Sequence, residues 1–295
     1  MTATRAVLDA VRDRLDPVAA AATDPQVTVG PRQVLVEVSA PADGSAVEAG
    51  ADPGEPARLA GVAHRPPGTR EAWPATVAEL ASLSTAGEGP LDRAVGIAAL
   101  NALSAPRIDW RAGDPMAELG AGVETIATVG LFRPAFRKFG GRAVRVVERE
   151  PPAPETIDAP ADVAVSTYAP DECDGAFDGA DVCFVTGSTL AYGGLDRYLA
   201  ALSAAGVPSV VLIGATASFL PDPAFEAGVD VLAGARVTDP EGVRAGIRAG
   251  ECGTDLHDRG LEKVYVAAPS TGDESTSRRT TDRSTDRPTH TTENP

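Results

Sequence analysis

The stretch TIATVGLFRPAFRKFGGRAVRVVE, residues 125–148, decides the fold. It predicts a strand at Thr125–Gly130, a short helix at Pro134–Phe139 and a second strand at Ala143–Glu148. Runs of Val, Ile and Ala that are almost continuously apolar are typical of parallel strands, which are covered on both faces. This stretch therefore predicts the first β-α-β unit of a buried parallel sheet.

The same alternation continues downstream. Further strands are predicted at Asp181–Thr186, Pro208–Gly214 and Val229–Leu232, and helices at Gly194–Ala205, Asp222–Ala227 and Pro240–Ala249. Strands and helices that alternate in this way favour an α/β fold with a Rossmann-like parallel sheet, which we assign to a C-terminal domain over residues 113–267. Residues 268–295 form a tail of Ser, Thr, Arg and acidic residues with little apolar content, so we expect it to be disordered.

The first 112 residues have a different pattern. They predict one amphipathic helix at residues 4–22, short strands at Val27–Val29, Val34–Val38 and Leu59–Ala63, and helices at Ala75–Leu83 and Leu91–Leu103. The turn dipeptide Gly30-Pro31 separates the first two strands. Residues 40–56 are rich in Gly, Pro, Ala and acids and predict a loop. We expect a smaller α+β domain here.

The charge of the chain limits its partners. Forty-two acidic residues against 26 basic ones give a net charge of −16. A field of this sign repels phosphate backbones and anionic lipid headgroups, so neither nucleic acid nor a membrane surface is an expected partner. Lys138 and Lys263 are the only lysines. Acid excess with almost no lysine favours a halophilic protein, whose self-repulsion is screened by salt; a GC-rich genome is the alternative reason for the lysine shortage.

A cytoplasmic location is expected. The first 22 residues contain no apolar core typical of a signal peptide, and no apolar run approaches the ~18 residues of a membrane-spanning helix. The three cysteines, Cys173, Cys183 and Cys252, make no disulfide framework. A reducing compartment is consistent with that number.

Candidate ligand contacts lie where the predicted strands end, because ligands of open parallel sheets bind outside the carboxyl ends of the strands. Gly130 allows a tight turn after the first strand, and Phe132 lies in the same loop. Glu148 ends the second strand, where dinucleotide-binding folds hold a ribose diol. The alternative for Glu148 is a solvated acid that pairs with Arg149.

Two further strand ends carry candidate residues. Thr186, Gly187, Ser188 and Thr189 follow the strand DVCFVT and could donate to a carboxylate, phosphate or hydroxyl group. The alternative is a capped turn into the next helix, where Ser and Thr commonly lie. Gly214, after SVVLI, is a strand end of the same kind.

Several catalytic and metal-binding motifs are missing. The loop at Gly130 lacks the second and third glycines of G-x-G-x-x-G, and the chain has no G-x-S-x-G, no Walker A motif and no H-E-x-x-H. Cys252 and His257 are five residues apart, but no second Cys or His pair completes a zinc site. His64 stands alone and is more typical of a structural or solvated histidine. No nucleophile is evident, so no reaction is assigned.

The second half resembles a known family. The segments ATVGLFRPAF, VRVVERE, ADVCFVTGSTLAYGGLD and VVLIGATASFLPDPAFEAGVDVLAGARVTDP are similar to the "putative heavy-metal chelation" family, a Rossmann-like family of unknown function. VGIAALNALS, residues 95–104, resembles its companion N-terminal domain, which has an enolase N-terminal-like α+β fold. The resemblance implies a cleft between two domains, faced by Asn101 and Ser104. The sequence departs from the family at Ala191–Gly194 and at Ala215, which replaces the usual Pro.

Three functions follow as hypotheses. The first is that the protein binds or processes a small polar metabolite, with a metal-chelating one included, in the interdomain cleft. The alternatives are a nucleotide-dependent enzyme and a protein that binds metal directly. No cofactor is assigned: a divalent metal is left open, and a nicotinamide or adenosine cofactor is less favoured because the glycines are missing. A homo-oligomer is also left open.

Overall fold

The computed structural model describes residues 3–41 and 56–269. Most of the expected loop at residues 40–56 and nearly all of the tail at 268–295 lie outside the described residues. Within the described part, no helix is both long enough and apolar enough to cross a membrane.

A small antiparallel sheet forms the first part of the chain. Its strands are β1 (Thr23–Val29), β2 (Gln33–Ala40) and β3 (Ala57–His64), in the order β1-β2-β3. Three helices accompany it: α1 (Ala3–Ala21), α2 (Val77–Ala86) and α3 (Pro90–Ser104). The Gly30-Pro31 turn joins β1 to β2 as expected, although β1 already begins at Thr23, directly after α1.

A large sheet forms the rest. In chain order its strands are β4 (Arg111–Ala112), β5 (Thr125–Val129), β6 (Ala143–Val147), β7 (Ala164–Tyr168), β8 (Val182–Thr186), β9 (Val210–Ile213), β10 (Val231–Val237) and β11 (Leu261–Ala267). The spatial order is β4-β11-β10-β9-β8-β5-β6-β7. All pairs from β10 to β7 are parallel, whereas β11 pairs antiparallel with both β10 and β4. The predicted α/β fold with a parallel sheet is confirmed.

The order of the parallel strands matters for function. Counted along the chain from β5 to β10, the six parallel strands lie in the order 3-2-1-4-5-6. This is the doubly wound Rossmann order, in which the winding reverses between the first and fourth strands. The reversal point here lies between β5 and β8, so the crevice expected to hold a ligand opens beside Gly130 and Thr186.

Short helices connect the strands of the large sheet. They are α4 (Cys173–Phe177), α5 (Ser188–Tyr192), α6 (Leu195–Ala205), α7 (Asp222–Glu226) and α8 (Pro240–Ala249). The segment after β5 is a 3-10 helix at Arg133–Lys138 and not an α-helix. Three strands were not predicted, because β4 has two residues, β7 is a partly exposed edge strand, and β11 carries Glu262 and Lys263.

The two sheets share a hydrophobic core. Helix α3 is buried from Leu91 to Ser104 except at Arg93. It packs against β2 and β3 on one side and against α5 on the other. A single apolar cluster therefore includes Val36 of the small sheet, Leu100 of α3 and Val185 of the large sheet.

The opposite face of the small sheet is also covered. Leu35 and Val62 pack there with Val243 and Ile247 of α8. Strand β4 pairs with β11 before residue 113, so the chain has entered the large sheet by Arg111. A division into domains near residue 112 remains our proposal.

Candidate functional site

The reversal point brings two of the predicted residues together. Gly130 has a φ of +105°, and a Cβ at that position would lie 3.0 Å from Cγ2 of Thr186. A side chain at residue 130 would thus be strained in its backbone and crowded against β8. Phe132 folds back over the same turn, with its ring edge 3.8 Å from that Cβ position.

Glu148 lies at the same edge of the sheet. Its Oε1 accepts a hydrogen bond from the Leu131 N–H at 2.7 Å, and its Oε2 accepts one from the Arg149 N–H at 3.3 Å. Since the Gly130-Leu131 segment lies close to both Glu148 and Thr186, the ends of β6 and β8 lie on either side of this loop. Glu148 is half-buried and is used to order the loop after β5.

The turn after β8 satisfies much of its own hydrogen bonding. Thr189 Oγ1 donates to the Thr186 carbonyl at 2.7 Å, and the hydroxyls of Thr186 and Ser188 lie 3.2 Å apart. The Gly187 N–H donates to the Ile213 carbonyl at 2.7 Å. A Cβ at Gly187 would lie 3.0 Å from the Ala217 nitrogen, so a side chain there would have to push the two strand-end loops slightly apart.

Helix α5 presents one polar face. Ser188 and Tyr192 are its first and last residues, four positions apart, and lie on the same side of the helix. Both are half-buried, whereas Thr189, Leu190 and Ala191 between them are buried. The guanidinium carbon of Arg149 lies 4.3 Å from the centre of the Tyr192 ring, a cation–π arrangement.

His64 reaches this face from the small sheet. It is the last residue of β3, and its Nε2 lies 3.3 Å from the hydroxyl of Tyr192. Its backbone N–H donates to Thr216 Oγ1 at 2.9 Å. Burial lowers the pKa of His64, and the positive charge of Arg149 lowers it further. The imidazole is therefore mainly neutral at pH 7.

Asn101 and Ser104 link α3 to the loop after β9. Asn101 is 1% exposed, and its Nδ2 donates to the carbonyls of Val62, Ala215 and Thr216 at 2.9, 3.1 and 3.3 Å. Three carbonyl partners fix the amide orientation and leave the buried Oδ1 without a partner among the described residues. Ser104 Oγ accepts from the Leu220 N–H at 3.1 Å. Their hydrogen bonds run to β3 and to this loop, and not to the ends of β5 and β8.

Gly214 begins that same loop. Its N–H donates to the Ala233 carbonyl at 2.8 Å, and its carbonyl accepts from Ala217 N–H at 2.8 Å. A Cβ at Gly214 would lie 4.0 Å from the Gly187 nitrogen. Gly214 therefore adjoins the β8 turn through backbone atoms.

Sequence reasoning missed three residues of the crevice: His64, Arg149 and Tyr192. His64 was interpreted as structural or solvated, and Arg149 was considered only as a partner of Glu148. Their meeting depends on contacts across 128 positions, which no local pattern reports. One local signal did exist: Tyr192 lies one helical turn after Ser188, which was already a candidate.

The crevice does not fit a resident metal ion. Within residues 3–41 and 56–269, no three or more His, Cys, Asp or Glu side chains are grouped to hold one. Both carboxylate oxygens of Glu148 already accept backbone hydrogen bonds, and the guanidinium of Arg149 opposes a cation nearby. At the other candidate, the Cys252 sulfur accepts from Arg32 Nη1 at 3.2 Å.

The strand order and the crevice define a Rossmann-like α/β protein with a candidate ligand site at its switch point. The chain belongs to DUF364, the family described as "Putative heavy-metal chelation", whose model matches residues 118–266.

Two solved structures share the fold. A DUF364 protein of unknown function from Pyrococcus horikoshii is 19% identical, with a TM-score of 0.67 over 89% of this chain and 100% of its own. Another, from Desulfitobacterium hafniense DCB-2, is 14% identical, with a TM-score of 0.64 over 89% of this chain and 98% of its own. No curated protein matches the chain.

Proposed function

We propose that the protein binds a small polar metabolite, one able to chelate metal, in the crevice at the ends of β5, β6 and β8. The observation that carries the proposal is the meeting of His64, Tyr192 and Arg149. One comes from the small sheet, one from α5 and one from the end of β6. Strand-end loops that converge on a residue from another part of the chain are the usual architecture of a ligand pocket.

The side chains at the crevice support a chelating ligand more than a bound ion, since the described residues offer no cluster of free metal ligands. A protein that held the metal itself would need several free oxygen, nitrogen or sulfur donors around one point. The crevice instead combines a cation, a neutral imidazole and hydroxyl groups, which suit an organic ligand with acidic or hydroxyl groups. We retain the enolase N-terminal-like assignment of the small sheet and its helices as part of the proposal.

A nucleotide-dependent enzyme is the second candidate, favoured by the 3-2-1-4-5-6 strand order. Two features weigh against it. The segment after β5 is a 3-10 helix, so no long helix directs its N-terminus at a pyrophosphate. Glu148, the candidate for a ribose diol, is already bonded to Leu131.

The proposal is tested by thermal shift on the full chain in about 2 M KCl. The probes are Ni²⁺, Co²⁺ and Zn²⁺ alone, the chelators citrate and histidine alone, each metal with each chelator, and NAD and S-adenosylmethionine. We expect a chelator, free or metal-loaded, to raise Tm, and Ser188→Ala to reduce the shift. Ser203→Ala, in the exposed part of α6, is the matched control.

Three outcomes separate the candidates. A shift with metal alone, together with metal in untagged protein that Glu148→Ala removes, supports direct metal binding. A shift with NAD or S-adenosylmethionine alone supports the nucleotide enzyme. A shift that Ser188→Ala and Ser203→Ala leave equally intact places the ligand outside this crevice.

A further inference from the structure

Arg149 lies at the end of β6, beside the ring of Tyr192 on helix α5. It is exposed and lies between Glu148 and Glu150 in sequence, yet no carboxylate of the described residues forms an ion pair with it. Arg244 shows the contrast, because it forms a bidentate pair with Glu37. The one side-chain contact that fixes the guanidinium of Arg149 is the ring of Tyr192.

The stacking leaves the hydrogen-bonding capacity of Arg149 intact. A guanidinium stacks through its flat face, while its N–H groups point outward in its plane. That edge can form two parallel hydrogen bonds to a carboxylate or a phosphate. A guanidinium held in place by an aromatic ring also loses less freedom when it binds such a group.

The surroundings of Arg149 suit an anion. Glu148 and Glu150 flank Arg149 in sequence, but neither forms an ion pair with it, and both oxygens of Glu148 accept hydrogen bonds from backbone N–H groups. The hydroxyl of Ser188 lies on the same face of α5 as Tyr192. The hydroxyl of Tyr192 is directed to His64. An anionic oxygen of a ligand near this face of α5 would thus lie close to the positive charge of Arg149 and to the Ser188 hydroxyl, which can donate a hydrogen bond.

We infer that Arg149, stacked on Tyr192, is the receptor for an anionic carboxylate or phosphate group of the ligand. The inference rests on the proposed function, since it names the chemical class that the same crevice takes. Arg149 contacts the ligand in this assignment, and Tyr192 is a positioning residue that holds the guanidinium.

His64 supplies a reporter for the test. The positive charge of Arg149 contributes to lowering the pKa of His64, so an anion that neutralises this charge raises the pKa again. The only other histidines are His257, which lies beside Lys263 and Asp114, and His290, outside the described residues. An NMR spectrum of the full chain with ¹³C-labelled histidine therefore contains signals from only three histidines, which makes the His64 signal easy to follow.

The experiment titrates the protein with malonate in one arm and inorganic phosphate in the other, at constant ionic strength set with KCl. We expect a saturable shift of the His64 signal in at least one arm, a higher pKa of His64 at saturation, and no saturable change at His257. The arm that saturates identifies the group as carboxylate or phosphate. Arg149→Gln should weaken binding by about tenfold or more. Arg149→Lys should weaken it by less, because lysine keeps the positive charge but lacks the paired N–H groups that bind both oxygens of a carboxylate or phosphate.

Arg248→Gln is the control for net charge, because Arg248 is exposed on α8 and the substitution removes the same charge elsewhere. It should bind like the wild type. A His64 shift that stays linear in both arms, or that Arg149→Gln leaves unchanged, overturns the assignment. If Ser188→Ala abolishes the thermal shift of a chelator while Arg149→Gln does not, ligand binding in the crevice is supported. The role of Arg149 as the anion receptor is then overturned.

Discussion

Glu37 of β2 and Arg244 of α8 form a bidentate ion pair, with Nε–Oε2 and Nη2–Oε1 distances of 2.8 and 2.6 Å. The side chain of Glu37 is 1% exposed, so its charge has left water almost completely. This pair joins the small sheet to a helix of the Rossmann-like part.

Glu37→Gln should therefore lower the free energy of unfolding by about 2–3 kcal/mol, because Arg244 then faces a buried neutral group. Urea denaturation measures the change. Glu262→Gln is the matched control, since it breaks the exposed pair with Arg236 and should cost less than about 1 kcal/mol. If both variants lost the same free energy of unfolding, the buried Glu37–Arg244 pair would contribute no more to stability than an exposed pair.

Asn101 should tolerate substitution poorly, and the type of substitution is diagnostic. Asn101→Ala removes a donor shared by three carbonyls and should cost about 2–3 kcal/mol in unfolding free energy. Asn101→Asp should cost more, because a carboxylate would face the same three oxygens. Thermal and urea unfolding of both variants give the comparison. An Asp variant at least as stable as the Ala variant would contradict this donor role of the amide.

Asp114 predicts a pH dependence. Its Oδ2 accepts from Lys138 at 2.5 Å and from Lys263 at 2.7 Å. Burial alone would raise the pKa of Asp114, but the two lysines outweigh burial and hold this pKa below its ordinary value. A depressed carboxyl pKa adds stability above the unfolded-state pKa, and this stability is lost as pH falls through the folded-state pKa.

Asp114→Asn should thus cost about 1–2 kcal/mol at pH 7, and the difference from the wild type should shrink below about pH 4. Urea denaturation across this pH range measures it. Asp171→Asn, at an exposed position, should show no comparable difference. A gap that stays constant throughout the acid range in which the wild type loses stability would mean that the two lysines do not act through this carboxylate.

The net charge of −16 predicts a salt requirement. Added KCl screens repulsion among the acids, so Tm should rise by several degrees between about 0.1 and 2 M KCl. Calorimetry over this range tests it. Glu71→Gln with Asp171→Asn, both exposed, should reduce the salt dependence slightly. A flat Tm profile would remove the halophilic interpretation.

The sequence predicted the central strands well because they are buried and almost uniformly apolar, as in Val182–Thr186. It failed at β7, where Ser166 and Thr167 lie in a half-exposed edge strand without a strong apolar signal. It also failed at β11, where Glu262 and Lys263 interrupt the apolar run. Strands with so weak an apolar pattern depend on pairing with their neighbours in the sheet, and that pairing is not encoded locally.

The candidate site divides in the same way. The sequence predicts that Gly130, Glu148 and Thr186 lie at strand ends, because strand ends can be located from an apolar pattern, and their part in binding stays a prediction. The pairing of Arg149 with Tyr192 was not found, because it depends on how α5 is oriented over the end of β6. The role of Asn101 in bridging β3 and the loop after β9 was likewise invisible before the two sheets were placed together.

The burial of α3 on all sides determines how a ligand can enter. A hinge motion that swung the small sheet away would expose Ile97, Leu100 and Leu103 to water, at roughly 1.5–3 kcal/mol for each side chain. Entry and exit are therefore expected to use rotamer changes at the rim, above all a swing of Arg149 off the Tyr192 ring. Exchange of the proposed ligand would then proceed on the fast timescale of exposed side chains and not on that of domain rearrangement.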